Sequence, residues 1–137
     1  MSSDFNKQII EEFRANGGRV GGMFEGSQLL LLTTTGARSG KLTTTPVMYL
    51  KDGDRYVVIA SNAGSDRHPA WYHNLRANPE ATAEVGTETF VVKAAFADDE
   101  ERDRLYARMV EQAAGFAEYE AKTSRRIPVV VLERLPA

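Results

Sequence analysis

Cysteine is absent from the 137-residue chain. That excludes disulfides, thiolate nucleophiles and Cys-ligated zinc or iron–sulfur centres, and it suits a reducing cytoplasm. Histidine is scarce: His68 and His73 are the two in the chain. With only Asp66 nearby, their spacing matches no zinc pattern. No apolar run approaches the roughly 20 residues of a membrane span, and the first residues lack the apolar core of a secretion signal. An excess of basic charge is missing too. Lys and Arg number 17 against 19 Asp and Glu, a net charge of −2, which argues against nucleic-acid binding. Neither a G-x-S-x-G elbow nor a Walker loop occurs, so serine-hydrolase and P-loop chemistry have no support. The carboxylates Asp98, Asp99, Glu100, Glu101 and Asp103 read as the acidic first turns of a helix, where the macrodipole favours them.

What is present is 42% apolar, enough for one core in one domain. Residues 2–15 predict a helix that Ser2, Ser3 or Asp4 can cap and Gly17-Gly18 can end. Phe5, Ile9, Ile10 and Phe13 form one apolar stripe. Two readings stay open for it: a helix packed on the domain, or a partly mobile one that covers a pocket or rests on a membrane surface. Its mixed polar face weakens the membrane reading. Residues 16–27 carry five glycines and read as a linker. Strands are predicted at residues 28–35, 42–50, 55–61, 81–85, 89–96 and 127–135. Helices are predicted at 70–77, 99–114 and 116–122. In the first strand four leucines run together, Leu29 to Leu32, which predicts burial of both faces or a place inside a barrel wall. Pro46 marks an edge or a bulge in the second strand. Strands joined by hairpins, with few helices between them, predict a small antiparallel barrel with flanking helices. Residues 1–27 then form a helix and linker, and residues 28–137 the barrel.

Several stretches bear on chemistry. Gly36-Ala37-Arg38-Ser39-Gly40-Lys41 is a hairpin tip with two cations, a hydroxyl and backbone N–H groups predicted to be unpaired. It reads either as a solvated turn or as a phosphate cradle. The small residues of Ser61-Asn62-Ala63-Gly64 let backbone approach the edge of a planar heterocycle. Trp71 reads equally as a ligand flank or a core residue. His73 is expected on the surface of its helix. Phe116 and Tyr119, three apart, share a helix face over an apolar pocket or simply pack the core.

In their order and spacing, Leu31-Leu32-Thr33-Thr34-Thr35-Gly36-Ala37-Arg38-Ser39-Gly40, Thr45-Pro46 with Tyr49-Leu50, Ile59 to Gly64, His68 to Pro79 and Arg126-Ile127-Pro128-Val129-Val130 resemble the deazaflavin-dependent nitroreductase family. The resemblance covers residues 28–134. It implies a split β-barrel that binds coenzyme F420, an 8-hydroxy-5-deazaflavin with a phosphate-linked oligoglutamate tail. It further implies hydride transfer from the reduced coenzyme to a quinone, nitro-aromatic or similar acceptor. By position, Ala37, Arg38 and Ser39, with Lys41, match the tail contacts. Thr43, Thr44, Thr45, Pro46, Val47 and Met48 match the strand lining the coenzyme. Ile59, Ala60, Ser61 and Asn62 match the ring-edge loop, and Ala70, Trp71, Tyr72, His73 and Asn74 the helix start on the coenzyme. Phe116, Tyr119 and Met48 fall where members meet the acceptor, with Ser61 and Tyr119 as the candidate catalytic hydroxyls. The best-known nitroimidazole-reducing member has tyrosines matching Ala113, Phe116 and Tyr119, and another matching Met48; its ring-edge lysine is Asn62 here. These departures favour quinones over bulky bicyclic nitroimidazoles.

A deazaflavin brings its own hydride chemistry and leaves the protein to bind and orient, so the lack of a triad or metal fits. Two other readings stay open: a non-catalytic carrier of the coenzyme or a fatty ligand, and a flavin mononucleotide enzyme on a similar barrel. The expected location is the cytoplasm, with peripheral contact at the inner membrane face if the first helix touches lipid.

Overall fold

The computed structural model describes residues 2–21 and 28–136, with side chains from Phe5 onward. The side chains of the proposed caps Ser2, Ser3 and Asp4, and residues 22–27 of the glycine-rich linker, therefore lie outside what is described. In chain order the elements are α1 (Ser2–Ala15), β1 (Leu29–Thr35), β2 (Leu42–Asp52), β3 (Arg55–Ile59), α2 (Ala70–Ala77), β4 (Glu80–Val85), β5 (Glu88–Phe96), α3 (Asp99–Gln112), α4 (Gly115–Lys122) and β6 (Val129–Arg134). The strands close into a barrel in the order β1-β2-β3-β6-β5-β4, every pair antiparallel. This is the mainly β architecture with flanking helices that the pattern predicts.

Alternation along each strand builds two sides of core. Leu30, Leu32, Val58, Val92, Val130 and Leu132 pack together in one cluster, into which α2 inserts Trp71 and Leu75. On the opposite strand faces, Val57, Ile59, Val129 and Val131 meet Leu105, Tyr106 and Met109 of α3 and Phe116 of α4. Leu29 and Leu31 are covered by Ile9 and Phe13 of α1. The leucine run is thus buried on both faces because a helix covers the one turned away from the barrel interior.

α1 is docked on the barrel: Phe13 is only 1% exposed, and Arg14 holds Glu84 by two bonds of 3.0 and 2.7 Å. At its exit Gly18 donates to Phe13 O at 2.8 Å and lies so near the β4–β5 turn that a Cβ there would sit 2.7 Å from Gly86 Cα. Ile9 and Phe13 of the apolar stripe are thereby turned onto protein, Ile10 is half-buried and Phe5 stays 41% exposed, so the helix is packed on the domain through one end of its stripe. No helix among the described residues is long and apolar enough to cross a membrane.

Two of the boundaries that differ from the sequence reading have a clear physical cause. β3 ends at Ile59 instead of continuing to Ser61, because the chain enters a left-handed turn. β6 starts at Val129 and not Ile127, because Pro128 has no N–H for a ladder. Its carbonyl instead accepts from Ala60 N–H at 3.0 Å.

β2 outruns β3. Its pairing with β3 begins only at Tyr49, whereas its pairing with β1 covers Leu42 to Met48. Along those residues one edge of β2 has no strand partner among the described residues. Tyr49 N–H bonds Gln28 O on the β1 side at 3.1 Å, so alternation turns the backbone of residues 44, 46 and 48 toward the open edge. Pro46 stands at that parity and removes no ladder bond. The register through it is continuous, so Pro46 marks an edge and no bulge.

Candidate functional site

A cavity of about 540 Å³ lies against this open edge. Because the edge is free, residues from both faces of β2 reach it: Thr45 and Val47 from one, Pro46 and Met48 from the other. Ile59, Ser61 and Asn62 form a second wall, Ala70 and Trp71 a third, and Phe116 and Tyr119 a fourth. Asn6 of α1 stands at its margin. Ala70 also lines a neighbouring groove of about 800 Å³, with Ala37, Arg38, Ser39, Thr43, His73 and Asn74. The two spaces therefore adjoin, a slot with apolar walls opening onto a cationic groove. Trp71, 6% exposed, combines its two readings, since it packs the barrel core and flanks the slot.

The groove is held by Asn74, itself buried. Its Oδ1 accepts from Ala37 N–H and its Nδ2 donates to Thr34 Oγ1, both at 3.0 Å. Inside the hairpin tip, Gly36 N–H bonds Lys41 O at 2.8 Å and Gly40 N–H bonds Gly36 O at 3.0 Å. Lys41 N–H bonds Ser39 Oγ at 3.1 Å. Four of the six N–H groups of the tip are thereby used, which narrows the phosphate cradle to the Arg38 and Ser39 N–H groups, the Arg38 side chain and the Ser39 hydroxyl. Arg76 adds a second guanidinium to the groove, stacked 4.7 Å from the Phe96 ring.

The slot's ring-edge wall is a left-handed turn. Asn62 and Ala63 have φ of 47° and 54°, followed by Gly64 at 82°. Two successive non-glycine residues in that region are strained, so something must hold them. Asn62 Nδ2 donates to Arg67 O at 3.1 Å. Arg125 does more, with Nη2 on Ser61 O and Nε on Ser65 O, both at 2.8 Å, and Nη1 on His68 Nδ1 at 3.0 Å. Burial first, then the Arg125 and His73 charges, hold the His68 imidazole below its ordinary pKa.

The fourth wall is anchored from α3. Tyr106 donates its hydroxyl to Phe116 O at 2.6 Å, and burial pushes that phenol up to about 12. The buried Arg102 reaches Glu120 of α4 and Ile127 O, each at 2.9 Å. Phe116 and Tyr119 stand edge to face, 5.3 Å between ring centres. α4 also presses on the ring-edge turn, where a Cβ on Gly64 would lie 3.0 Å from Tyr119 O.

Four residues expected in the site line neither space. Thr44 faces away from Thr43 and Thr45 and bonds Thr33 Oγ1 at 2.8 Å, as the period-2 pleat requires. Ala60 is fully buried in the barrel. Tyr72 packs against His68 and Phe96, at 4.6 and 5.7 Å. Lys41 closes the base of the hairpin tip, its side chain exposed outside the groove.

The structure in turn adds Arg76, Ala77, His68 and Arg125, which sequence reasoning missed. Helical spacing from Ala70 through His73 and Asn74 to Ala77 carries a signal for that face. Nothing in the sequence separates Arg125 from Arg126, which turns outward to Asp99 and Asp103 at 3.1 and 2.8 Å.

An apolar slot with a polar ring edge, joined to a cationic groove, fits a flat heteroaromatic ring carrying an acidic tail. Comparison with known proteins agrees. The family model described as F420H(2)-dependent quinone reductase matches residues 6–134. The F420H(2)-dependent quinone reductase Rv1261c of Mycobacterium tuberculosis is 42% identical over 126 residues, which cover 89% of this chain and 85% of that protein. A solved F420-H2 dependent reductase, FDR-A, is 37% identical, with 77% of this chain and 94% of that one covered at a TM-score of 0.71. Another solved chain, described as a domain-swapped dimer, is 33% identical, covering 97% of this chain and 100% of its own at a TM-score of 0.73. The slot, the cationic groove and the likeness through nearly the whole chain lead to one assignment: the chain belongs to the F420H2-dependent quinone reductase family.

Proposed function

We propose that this chain binds reduced F420 across the slot and groove and uses it to reduce a quinone to the hydroquinone. The observation that carries this reading is that the two spaces lie side by side, sharing Ala70 as a wall. One end offers apolar walls for a ring, the other two guanidinium groups for a phosphorylated, acidic tail. The family assignment favours the reductase over the carrier and flavin mononucleotide readings. Nitro-aromatics small enough for the same slot are further candidate acceptors.

When bound, the reduced deazaflavin supplies the hydride. The chain does the rest. Arg38, Ser39 and Arg76 attract the tail, and Asn74 keeps their loop on α2. Trp71 and Val47 would hold the ring within the slot, together with the left-handed turn at Ser61 to Ala63. Phe116, Tyr119 and Met48 roof the acceptor side, with Asn6 of α1 at the mouth. Enclosure by these walls holds the acceptor close to the donor, about 3–3.5 Å for reacting atoms, and excludes water. Hydride plus one proton makes the hydroquinone, and the Tyr119 and Ser61 hydroxyls, both lining the slot, would hydrogen-bond the oxygen that gains negative charge.

The test is a stopped-flow trace of reduced F420 mixed with menadione and catalytic protein. Oxidation well above the protein-free rate is expected. A rate equal to the protein-free control would leave a carrier. Titrating F420 and flavin mononucleotide separately, followed by fluorescence, should show preference for F420.

A further inference from the structure

Arg125 and His68 lie on the ring-edge side of the slot and have no role in the reading above. A guanidinium donates and never accepts, and it stays charged at any accessible pH. His68 Nδ1, 3.0 Å from Arg125 Nη1, must therefore be the acceptor of that bond. The imidazole proton is then on Nε2. His68 lines the slot, and among the described residues its Nε2 makes no hydrogen bond. A donor with its tautomer fixed from behind, left without a partner at a half-enclosed cavity, is one half of a ligand contact.

We propose that His68 is a ring-binding residue, a neutral Nε2–H donor to an acceptor atom on the edge of the bound deazaflavin, and that Arg125 is the positioning residue that fixes its tautomer. Through Ser61 O and Ser65 O the same guanidinium holds the strained turn, so one side chain aligns both the backbone and the side-chain contacts of the ring edge. The proposal rests on the F420 reading of the slot. The charged and titratable groups packed around His68 are Arg125, Tyr72 at 4.6 Å and His73 at 5.6 Å between ring centres, together with Asp66, which accepts from Thr123 Oγ1 at 2.7 Å. A second proton on Nδ1 would face the guanidinium, so the ring stays neutral at pH 7.

The tautomer is read in the ligand-free native protein by nitrogen NMR of the His68 ring. Nε2–H at pH 7 is expected; Nδ1–H, or an imidazolium, overturns the proposal. F420 affinity is then measured by fluorescence. His68→Leu should weaken it about tenfold, the loss of one hydrogen bond, while His68→Gln, which keeps an N–H near the Nε2 position, should stay within about threefold. Arg125→Lys keeps the charge but not the three-way fork, and should weaken binding and mix the His68 tautomers. Native protein that binds F420 while His68→Leu binds equally well sinks the His68 assignment alone. Native protein that binds no F420 sinks the reading of the slot, and His68 with it.

Discussion

Arg102→Met tests whether α3 places the acceptor wall. Arg102 has a side chain 7% exposed and three hydrogen-bond partners at 2.9 Å: Asp103, Glu120 and Ile127 O. The two carboxylates are 61% and 47% exposed. They regain water when the arginine goes, so each pair contributes only about 0–1 kcal/mol. Ile127 is fully buried, and its carbonyl loses its donor with no water to replace it, about 1–3 kcal/mol. The stack of the guanidinium 4.6 Å from the Tyr106 ring adds about 0.5–2 kcal/mol. Methionine refills much of the volume and returns part of this. The net loss is about 2–3 kcal/mol, which lowers Tm by about 6–15 °C in a domain of this size. α4 keeps its Tyr106–Phe116 bond but loses the Glu120 tie. The KM for menadione should therefore rise several-fold while the Kd for F420 stays within about twofold, since Arg102 touches neither the groove nor the ring-edge turn. Thermal melts and steady-state kinetics read both. A Tm drop under about 1 °C would refute the stability argument. An F420 affinity falling in step with quinone KM would refute the division between coenzyme and acceptor sides.

Gly64→Ala adds a methyl at φ 82°, 3.0 Å from Tyr119 O and 3.1 Å from Lys122 Cβ. It should cost about 1–2 kcal/mol in backbone strain alone and raise quinone KM by pushing α4; an unchanged melt with unchanged KM would show that the turn and α4 are not in firm contact. Arg38→Ala with Arg76→Ala should weaken F420 binding about tenfold or more and flatten its salt dependence. A tail-less deazaflavin should bind native and variant alike, and equal losses for both ligands would move these arginines away from the tail. Asp52 is held at about 2, chiefly by Arg55, with Arg104 and Arg108 adding to it. Its folded value is depressed, so its stabilisation is present above the ordinary 3.8 and disappears as pH falls through about 2. Asp52→Asn should melt lower at pH 7 and lose less Tm than the native chain between pH 4 and 2; parallel acid profiles would contradict this.

The barrel was legible because its strands carry their burial in their spelling. Four consecutive leucines and Val129-Val130-Val131-Leu132 read as buried strands, and strand–helix alternation is too sparse for a doubly wound parallel sheet. Pro46 announced an edge or a bulge, and it stands on the edge that holds the slot. The groove was half legible. Arg38 and Ser39 could be named from a basic turn, but which N–H groups remain free depends on Asn74 reaching back from a helix 37 residues later, and no local pattern encodes that. Thr44 lines neither space for a local reason: its hydroxyl is taken up by Thr33 on the neighbouring strand, whereas Pro46 and Met48 of the same parity lie further along the open edge and reach the slot. Arg125 was invisible because two adjacent arginines look alike until tertiary packing sends one inward to Ser61 O and the other outward to Asp99.

The position of the site follows from unequal strand lengths. β2 has 11 residues and β3 has 5, so the barrel cannot be zipped along the whole of β2. An unpaired edge is normally a liability, open to wrong pairing. Here Pro46 removes one donor from it, α2 and α4 stand on either side, and the remaining gap holds the slot of about 540 Å³. The elements around the gap divide the work. The hairpin tip and α2, joined by Asn74, form the groove proposed for the tail. α1 and α4 carry Asn6, Phe116 and Tyr119 on the acceptor side and are secured independently, α1 by Phe13 and Arg14, α4 by Arg102 and Tyr106. The ring-edge turn meets α4 at Gly64 and is held by Arg125, which also bonds His68 just ahead of α2. Substitutions in α1 or α4 can therefore reshape the acceptor pocket while coenzyme binding persists, whereas a change that loosens the turn disturbs both at once.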